Sequence, residues 1–462
     1  MSSYPDPALK AILGSLFAGD SLPEEFVQGV AQEVGACFAN GPDDVYSTEV
    51  TIWAWICQCL SASKSCVAAV LRVVALRVAL GQPPCSAATG AYCKARAKLP
   101  EAFIRRLALR VGNDAEDQAP DAWRWKSRRV LLVDGTECSM PDTPANQAEY
   151  PQPGSQKPGL GFPLIRLVVL MAFASACLVD CAMGPRKGKG AGETSLFRQM
   201  LGSLRAGDVV VADRYCCACW LIVAAMARGA DVCFRLHSQR HADFRRGRRL
   251  GKDDHVVSWE KPKRPAWMSQ AEYDALPDKL EMREVRFRTG HRGYRTKEVV
   301  VATTLLDAEA CPAASIAELY GHRWQVELDI RAIKQTLKMD VLSCKTPEMV
   351  RKEAWTHLLA YNLARRALAQ AASASGKERA RELSFAAALE TLRTFRWLPV
   401  LGDEAMRAAS RQALLAALRT HKVGKRPGRV EPRKVKRRPK AQRLLTKLRQ
   451  QERELLLSGK GE

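Results

Sequence analysis

Two aspartates each follow a short apolar run and could take part in catalysis. Asp134 closes the run that starts at Arg129, and Asp213 closes the run that starts at Asp208. A carboxylate is costly to place at the edge of a packed core unless something pairs with it, and a divalent cation is one such partner. Gly135 has no side chain that could obstruct a ligand close to Asp134. Taken singly, either aspartate could equally be a strand-end acid that caps a turn.

A glutamate farther along the chain belongs to a polar stripe on a predicted helix. The four polar residues at offsets of 0, 3, 7 and 14 are Tyr320, Arg323, Glu327 and Lys334. At about 100° per residue they lie within a stripe about 60° wide. Apolar residues occupy the adjoining edge, namely Leu319, Val326, Ile330, Ile333 and Leu337. We therefore expect the apolar edge of the helix to pack on a core and the adjoining edge to present the polar groups. The alternative is an ordinary surface helix with an Arg323–Glu327 ion pair.

Trp324 lies about 40° from the start of this stripe and has two interpretations. Its indole could stack on an unpaired base. It could instead pack in a core or an interface, which the sequence favours because tryptophan is highly buried on average.

Apolar runs predict the elements that must position these residues. The predicted strands are Arg129–Asp134, Phe162–Phe173, Ala176–Met183, Asp208–Asp213 and Asp231–Leu236, and the helices between them are Gly192–Leu204 and Cys217–Arg228. Three strands followed by alternating helix and strand predict an α/β domain with a mixed sheet. This is the order of elements found in ribonuclease-H-like cores.

Residues 237–310 interrupt that pattern. They begin polar and basic, and then contain three strand-like runs, Val256–Trp259, Arg283–Arg288 and Glu298–Leu305. This indicates a β-rich insertion. A long helix, Ser315–Lys338, carries the polar stripe, and three further helical stretches reach Thr420.

Residues 1–115 are predicted to be helical. Thr51–Leu60 and Ser65–Leu80 show helical spacing, and the second stretch ends at a Gly-Gln-Pro-Pro turn. A short basic helix follows, with Tyr92, Lys94, Arg96 and Lys98. Helix, tight turn and basic helix is the outline of a helix-turn-helix, which would place the second helix in a major groove. An ordinary helical hairpin with a solvated basic face is the alternative.

The charge of the chain favours a polyanionic partner. Its 462 residues include 72 Lys and Arg against 49 Asp and Glu, a formal net charge of +23. A surplus of this size favours nucleic acid. The segment His421–Arg449 is rich in Lys and Arg and predicts an extended basic arm, and Ala441–Leu457 predicts a closing helix.

Composition also bears on the compartment. Met1–Lys10 lacks the pattern of a secretory signal, and the most apolar stretch, Leu167–Val179, is too short to span a bilayer as a helix. We therefore expect a soluble protein without a membrane partner. Fifteen cysteines in such a chain indicate reduced, buried thiols. Cys216 and Cys219 form a C-x-x-C pair, but no second pair with suitable spacing completes a zinc site.

The stripe resembles a known signature. Its spacing is that of the Y-x2-R-x3-E-x6-K signature of DDE transposases of bacterial insertion sequences, in the insertion-sequence-four group. Asp134 precedes Asp213 by 79 residues and Glu327 follows it by 114, in the order of that family. The β-rich block before Glu327 and the tail segment Arg426–Arg433 also resemble this group.

This resemblance implies an architecture and a compartment. The expected parts are a helical N-terminal DNA-binding domain at 1–115, a ribonuclease-H-like catalytic domain at 116–346 with its insertion at 237–310, a helical region at 347–420 and a basic tail at 421–462. The bacterial cytoplasm is the expected location, with the protein on the nucleoid when it binds DNA.

The resemblance also implies roles for the site residues. Asp134, Asp213 and Glu327 would hold two Mg²⁺ ions, with Asp134 bridging them and Mn²⁺ able to substitute. Tyr320, Arg323 and Lys334 would hold the transposon end, and a homodimer would pair two ends. Cut-and-paste transposition is the expected activity. A ribonuclease-H-like nuclease that does not join strands, and an inactive transposase-derived repressor, are the alternatives.

Overall fold

A nine-stranded mixed sheet organises the part of the chain that this computed structural model describes, residues 24–39, 44–61, 63–188, 190–288, 298–395, 403–424 and 444–458. Its strands are β1 (Val130–Ser139), β2 (Leu164–Ala172), β3 (Leu178–Pro185), β4 (Val209–Ala212), β5 (Asp231–Arg235), β6 (Arg248–Gly251), β7 (Asp254–Glu260), β8 (Lys279–Arg288) and β9 (Glu298–Thr303). Their order across the sheet is β3-β2-β1-β4-β5-β9-β8-β7-β6. β1, β4 and β5 are parallel, and the other neighbours are antiparallel. The predicted α/β fold with a mixed sheet is confirmed.

The strands of the β-rich segment continue this same sheet. β9 pairs with β5, and β8, β7 and β6 follow outward. The three predicted strands of the segment are present, and β6 is an additional one whose Arg-rich sequence lacks an apolar alternation. A buried ion pair between Arg283 and Asp254, with 2.6 Å between nitrogen and oxygen, joins β8 to β7.

β1 runs through Asp134 instead of ending at it. Its antiparallel pairing with β2 continues to Ser139, whereas its parallel pairing with β4 stops at Leu132. The prediction that Asp134 ends a strand is therefore wrong. Asp213 does follow the last residue of β4 directly. The edge of β1 that faces β4 is therefore unpaired at Asp134.

Helices cover both faces of the sheet. They are α1 (Glu24–Glu33), α2 (Thr48–Leu60), α3 (Cys66–Ala79), α4 (Gly90–Lys98), α5 (Glu101–Asp117), α6 (Pro144–Glu149), α7 (Glu193–Gln199), α8 (Cys219–Met226), α9 (Gln270–Asp274), α10 (Ala313–Gly321), α11 (Trp324–Arg331), α12 (Pro347–Ser375), α13 (Phe385–Phe395), α14 (Glu404–Thr420) and α15 (Arg449–Leu457). Because successive strand residues point to opposite faces, Leu132 shares a core with Val326 of α11, and Leu131 shares the other core with Phe197 of α7 and Ile222 of α8.

The described residues up to 115 are helical, as expected, but they do not form a helix-turn-helix at α3 and α4. Residues 80–89 separate these helices, far more than a turn of about three to four residues. Tyr92 is fully buried, and its hydroxyl donates to Gln58 Oε1 at 2.7 Å. Arg96 is also buried, with its guanidinium over the Trp55 ring. Two of the four residues expected to line the basic face thus point into the protein, and the helix-turn-helix prediction is wrong.

The predicted helix Ser315–Lys338 is interrupted twice. α10 ends at Gly321, and the hydrogen bonds then tighten, since Arg323 N donates to Tyr320 O at 3.0 Å, three residues back. After α11, Ala332–Thr336 forms a π-helical turn. A helical wheel with a constant rotation per residue therefore does not describe this segment. Tertiary contacts decide the directions of the four stripe residues.

The C-terminal helical stretches are confirmed as α12, α13 and α14. Most of the predicted basic arm, residues 425–443, lies outside the described residues. Of the predicted closing helix, α15 covers the last nine residues and residues 444–448 are not helical. None of the fifteen cysteines, all of which lie in the described residues, forms a disulfide bond. Among the described helices, none combines the length and the apolar character needed to cross a membrane.

Candidate active site

Asp134 and Asp213 come together at the edge where β4 ends. The parallel register pairs Leu132 with Val211 as the last matched residues. Two further residues along each strand bring Asp134 opposite Asp213. The two carboxylates, 79 residues apart in the chain, thus meet because their strands are parallel neighbours.

Backbone N–H groups hold both carboxylates in place. Gly135 N donates to Asp134 Oδ1 and Tyr215 N donates to Asp213 Oδ1, each at 2.9 Å. Asp213 therefore caps the short 3₁₀ turn Arg214–Cys216, as the turn-capping alternative anticipated. That role occupies one oxygen of Asp213, and the second oxygen remains available to a ligand.

Glu327 reaches this edge from α11. Arg323 Nη2 donates to Glu327 Oε1 at 2.7 Å, which is the i,i+4 pair expected on a helix. The two side chains are 20% and 32% exposed, so solvent only partly screens the pair. α11 is held against the sheet by Val326, which is fully buried beneath Glu327.

The pKa of Asp134 shows that the three acids lie within electrostatic reach of one another. It is raised to about 6, chiefly by burial; the Gly135 N–H and Arg323 oppose the rise, and the nearby carboxylates of Glu327 and Asp213 contribute to it. A carboxylate in such surroundings is stabilised by a cation. Glu327 and Asp213 therefore both lie within electrostatic reach of Asp134.

The donor set suits hard divalent cations. Carboxylate oxygens are the ligands that Mg²⁺ prefers, and Mg²⁺ keeps several waters when it binds to few protein groups. Within the described residues, no three His, Cys, Asp or Glu side chains converge closely enough to hold one ion. By the chemistry of the donor set, a divalent ion would take a pair of these carboxylates, Asp134 with Asp213 or Asp134 with Glu327. Arg323 would have to leave Glu327 for one of these pairs to form.

Tyr320 is largely buried at the rim of this site. Its ring packs near Phe287, with 6.2 Å between centroids, and only 8% of the residue is exposed. Burial raises the pKa of its phenol to about 12, with Arg323 and Arg235 opposing the rise. Tyr320 is thus a permanent hydrogen-bond donor at neutral pH, with little of its side chain available to a partner in this conformation.

Lys334 and Trp324 differ from Tyr320 in their surroundings. Lys334, on the π-helical turn, donates from Nζ to the carbonyl oxygen of Glu137 in β1 at 2.7 Å. Trp324 is 45% exposed. The expectation that Trp324 packs in the core is therefore wrong for this chain, and its indole is open to a partner.

Two charged residues of the site were missed by the sequence analysis. Arg235 ends β5, and its pKa responds to Arg214, Tyr320 and Asp213, which places its guanidinium beside the site. Glu193 begins α7 and lies against Gly135. Arg235 lies at the end of a predicted strand and Glu193 near the start of a predicted helix, and these positions could have marked them as candidates. The sequence alone does not show which strand and helix ends lie at the same edge of the sheet.

Comparisons with known proteins identify the family of the chain. Residues 125–363 match the family model described as "Transposase DDE domain". The chain is 28% identical over 281 residues to the transposase InsG for insertion sequence element IS4 of Escherichia coli (strain K12), a match that covers 60% of this chain and 60% of that protein. A piggyBac transposase in a synaptic complex with hairpin DNA aligns with 91% of this chain and 86% of its own, at 9% identity and a TM-score of 0.41. Because the family model spans more than half of the chain and includes all three acids, the protein belongs to the DDE transposase domain family.

Proposed function

We propose that this protein is a transposase that cleaves and joins DNA at the inverted-repeat ends of an insertion sequence by a cut-and-paste route. The carrying observation is that Asp134 lies at the open edge of β1 and that Glu327 and Asp213, the other acids expected in a DDE transposase, both raise its pKa. The strand order β3-β2-β1-β4-β5 agrees with a ribonuclease-H-like core. The family match supports the same function.

The three carboxylates would hold two Mg²⁺ ions, or Mn²⁺ in their place, with Asp134 common to both. Ions bound there would activate the attacking oxygen and stabilise the leaving oxygen of a phosphoryl transfer. Asp134 has a pKa of about 6 and is ionised at neutral pH, as an ion ligand must be. Asp213 is kept in position by the backbone N–H of Tyr215.

Arg323 has two partners in this proposal. Without DNA its guanidinium neutralises Glu327 at 2.7 Å. A guanidinium can grip a phosphate with a fork of donors, so the DNA backbone would draw Arg323 away and free Glu327 for an ion. Binding of the transposon end would thereby complete the site.

The remaining stripe residues would also contact DNA. Lys334 can exchange its bond to Glu137 O for a phosphate, because lysine is a movable point charge. The exposed indole of Trp324 would stack on an unpaired base. Tyr320 would donate a hydrogen bond to the strand if the rim opens. The net charge of +23 supports DNA, both transposon ends and target, as the partner.

Pairing two transposon ends requires a homodimer in the synaptic complex, and the bacterial cytoplasm is the proposed location. The relative from Escherichia coli, a transposase of an insertion sequence, supports this family-wide expectation.

Cleavage of the native element end with Mg²⁺ tests the proposal. Wild-type protein should nick and then join the end to a target, whereas Glu327→Ala should bind the end without cutting it. Glu318→Ala is the matched control, since Glu318 lies on α10 and its side chain is 66% exposed. Equal nicking by wild type and Glu327→Ala would reject the assignment. Nicking without strand joining by the wild type would identify a nuclease, and an absence of both with intact DNA binding would identify a repressor.

A further inference from the structure

The carboxylate end of Glu193 lies over Gly135, where an added Cβ would force it to shift. A Cβ added at Gly135 would be 2.6 Å from both Cδ and Oε1 of Glu193, which is closer than real Cβ atoms approach their neighbours. Gly135 is joined to Asp134, and its N–H holds the Asp134 carboxylate. The Glu193 carboxylate is thus in van der Waals contact with the backbone that carries the central acid of the site.

The helix after β3 brings Glu193 to this position. Glu193 is the first residue of α7, which is anchored to the sheet through Leu196 and Phe197, both buried. Gly135 points to the same face of the sheet as these side chains, whereas Asp134 points to the face covered by α11. Glu193 therefore approaches the site from the side opposite to Glu327.

Glu193 and the neighbouring Glu137 differ in their contacts with cationic side chains. Glu137 accepts from Arg166 Nη2 at 2.8 Å and lies 3.3 Å from Arg186 Nε. Within the described residues, the Glu193 carboxylate has neither a hydrogen bond nor an ion pair. A half-buried carboxylate without a partner is unfavourable unless something cationic joins it.

The electrostatic neighbours of Glu193 place it beside the proposed ion site. Burial raises the pKa of its carboxyl, and Asp213 and Glu137 raise it further against the effect of Arg166. Asp213 is itself a proposed ion ligand. Two neighbouring carboxylates repel each other, so a cation close to both would stabilise them.

We propose that Glu193 is a positioning residue of the divalent-ion site, where it holds the hydrated face of the ion bound by Asp213. This inference rests on the proposed function. Mg²⁺ and Mn²⁺ keep several waters in such sites, and groups that accept hydrogen bonds from those waters orient the ion.

Binding of Mn²⁺ alone to the full-length protein, followed by electron paramagnetic resonance, tests this role. Glu193→Gln keeps the size of the side chain and removes its charge, and we expect a roughly 10- to 100-fold loss of affinity at one of two sites. Glu281→Gln, which removes the same charge from an exposed position on β8, should bind Mn²⁺ as wild type does. Affinity of Glu193→Gln within twofold of wild type would overturn the inference.

Asp213→Asn separates this inference from the proposed function. If Asp213→Asn loses an ion and Glu193→Gln does not, only the role of Glu193 is rejected. If wild type and Asp213→Asn bind Mn²⁺ equally, the proposed ion site itself is rejected. Circular dichroism of each variant identifies a failure to fold.

A double-mutant cycle provides a second test, which probes the contact between Gly135 and Glu193. Gly135→Ala should displace the Glu193 carboxylate and weaken Mn²⁺ binding by itself. If the glycine acts by making room for Glu193, adding Gly135→Ala to Glu193→Ala should cause little further loss, because contacting residues are not additive. Full additivity of the two losses would contradict the inference.

Discussion

Arg323 forms an ion pair with Glu327 at 2.7 Å and thereby occupies the carboxylate that the proposed ion site requires. The pair lies at the edge of β1 beside Asp134, whose pKa responds to both residues. In this structure a guanidinium is therefore paired with the carboxylate at which the proposed site would bind a divalent ion.

Replacing Arg323 by alanine should separate its effects on ions and on DNA. We expect tighter Mn²⁺ binding without DNA, because the competing cation is gone. Binding of the element end should weaken, and its log–log salt dependence should fall by about one unit for the lost phosphate contact. Calorimetry with Mn²⁺ and a salt series of DNA titrations measure the two quantities. A loss of Mn²⁺ affinity in Arg323→Ala would contradict the competition.

Ion binding should depend on pH through Asp134. The carboxyl has a pKa of about 6 in the folded protein, so a proton competes with the ion below that pH. We expect the Mn²⁺ affinity to fall by up to about tenfold per pH unit below pH 6 and to level off above it. An affinity that stays constant between pH 5 and 8 would show that Asp134 is not a ligand.

The same group should make stability depend on pH. Between the ordinary carboxyl pKa of 3.8 and about 6, Asp134 keeps its proton in the folded chain and loses it in the unfolded chain. The unfolded state then binds fewer protons, so the free energy of unfolding falls as the pH rises through this window. Asp134→Asn should consequently be more stable than wild type by about 1–3 kcal/mol at pH 7.5 without metal, and equally stable near pH 4. Urea unfolding at the two pH values measures this difference.

Asp329, two residues after Glu327, should be essential for stability. It is fully buried and accepts from Arg365 Nη2 at 3.0 Å and from Arg381 Nη1 at 3.1 Å, which ties α11 to α12 and to the residues that follow it. Removing its charge leaves two buried guanidinium groups without their partner. Asp329→Ala should lower the free energy of unfolding by about 3–5 kcal/mol. Glu318→Ala, at an exposed position, should change it by less than about 0.5 kcal/mol in the same urea titration.

Trp324 should matter for DNA and not for the fold. Its side chain is 45% exposed, so Trp324→Ala should leave the free energy of unfolding within about 0.5 kcal/mol of wild type. If the indole stacks on an unpaired base, binding of a single-stranded end should weaken by about 1–3 kcal/mol. Fluorescence of 2-aminopurine placed near the end reports stacking directly. Unchanged fluorescence on mixing the wild type with this DNA would exclude the stacking role.

Local signals in the sequence were sufficient for much of the architecture. The strands around Asp134 and Asp213 are apolar and β-branched, and their alternation with helices predicted an α/β fold with a mixed sheet, which the structure confirms. The N-terminal helices and the three helical stretches up to Thr420 were predicted for the same reason. Helical and strand periods of apolar residues are properties of short windows, so the sequence alone reveals them.

The sequence by itself determined which residues could do chemistry: two aspartates, one glutamate and their basic neighbours. Only the tertiary structure decided how they are presented. β1 continues past Asp134 because β2 still pairs with it while β4 has ended, and the break before α11 leaves Trp324 exposed and Tyr320 buried. The place of Glu193 over Gly135 was likewise invisible in the chain, because contacts between distant segments depend on strand register and helix packing and not on local pattern.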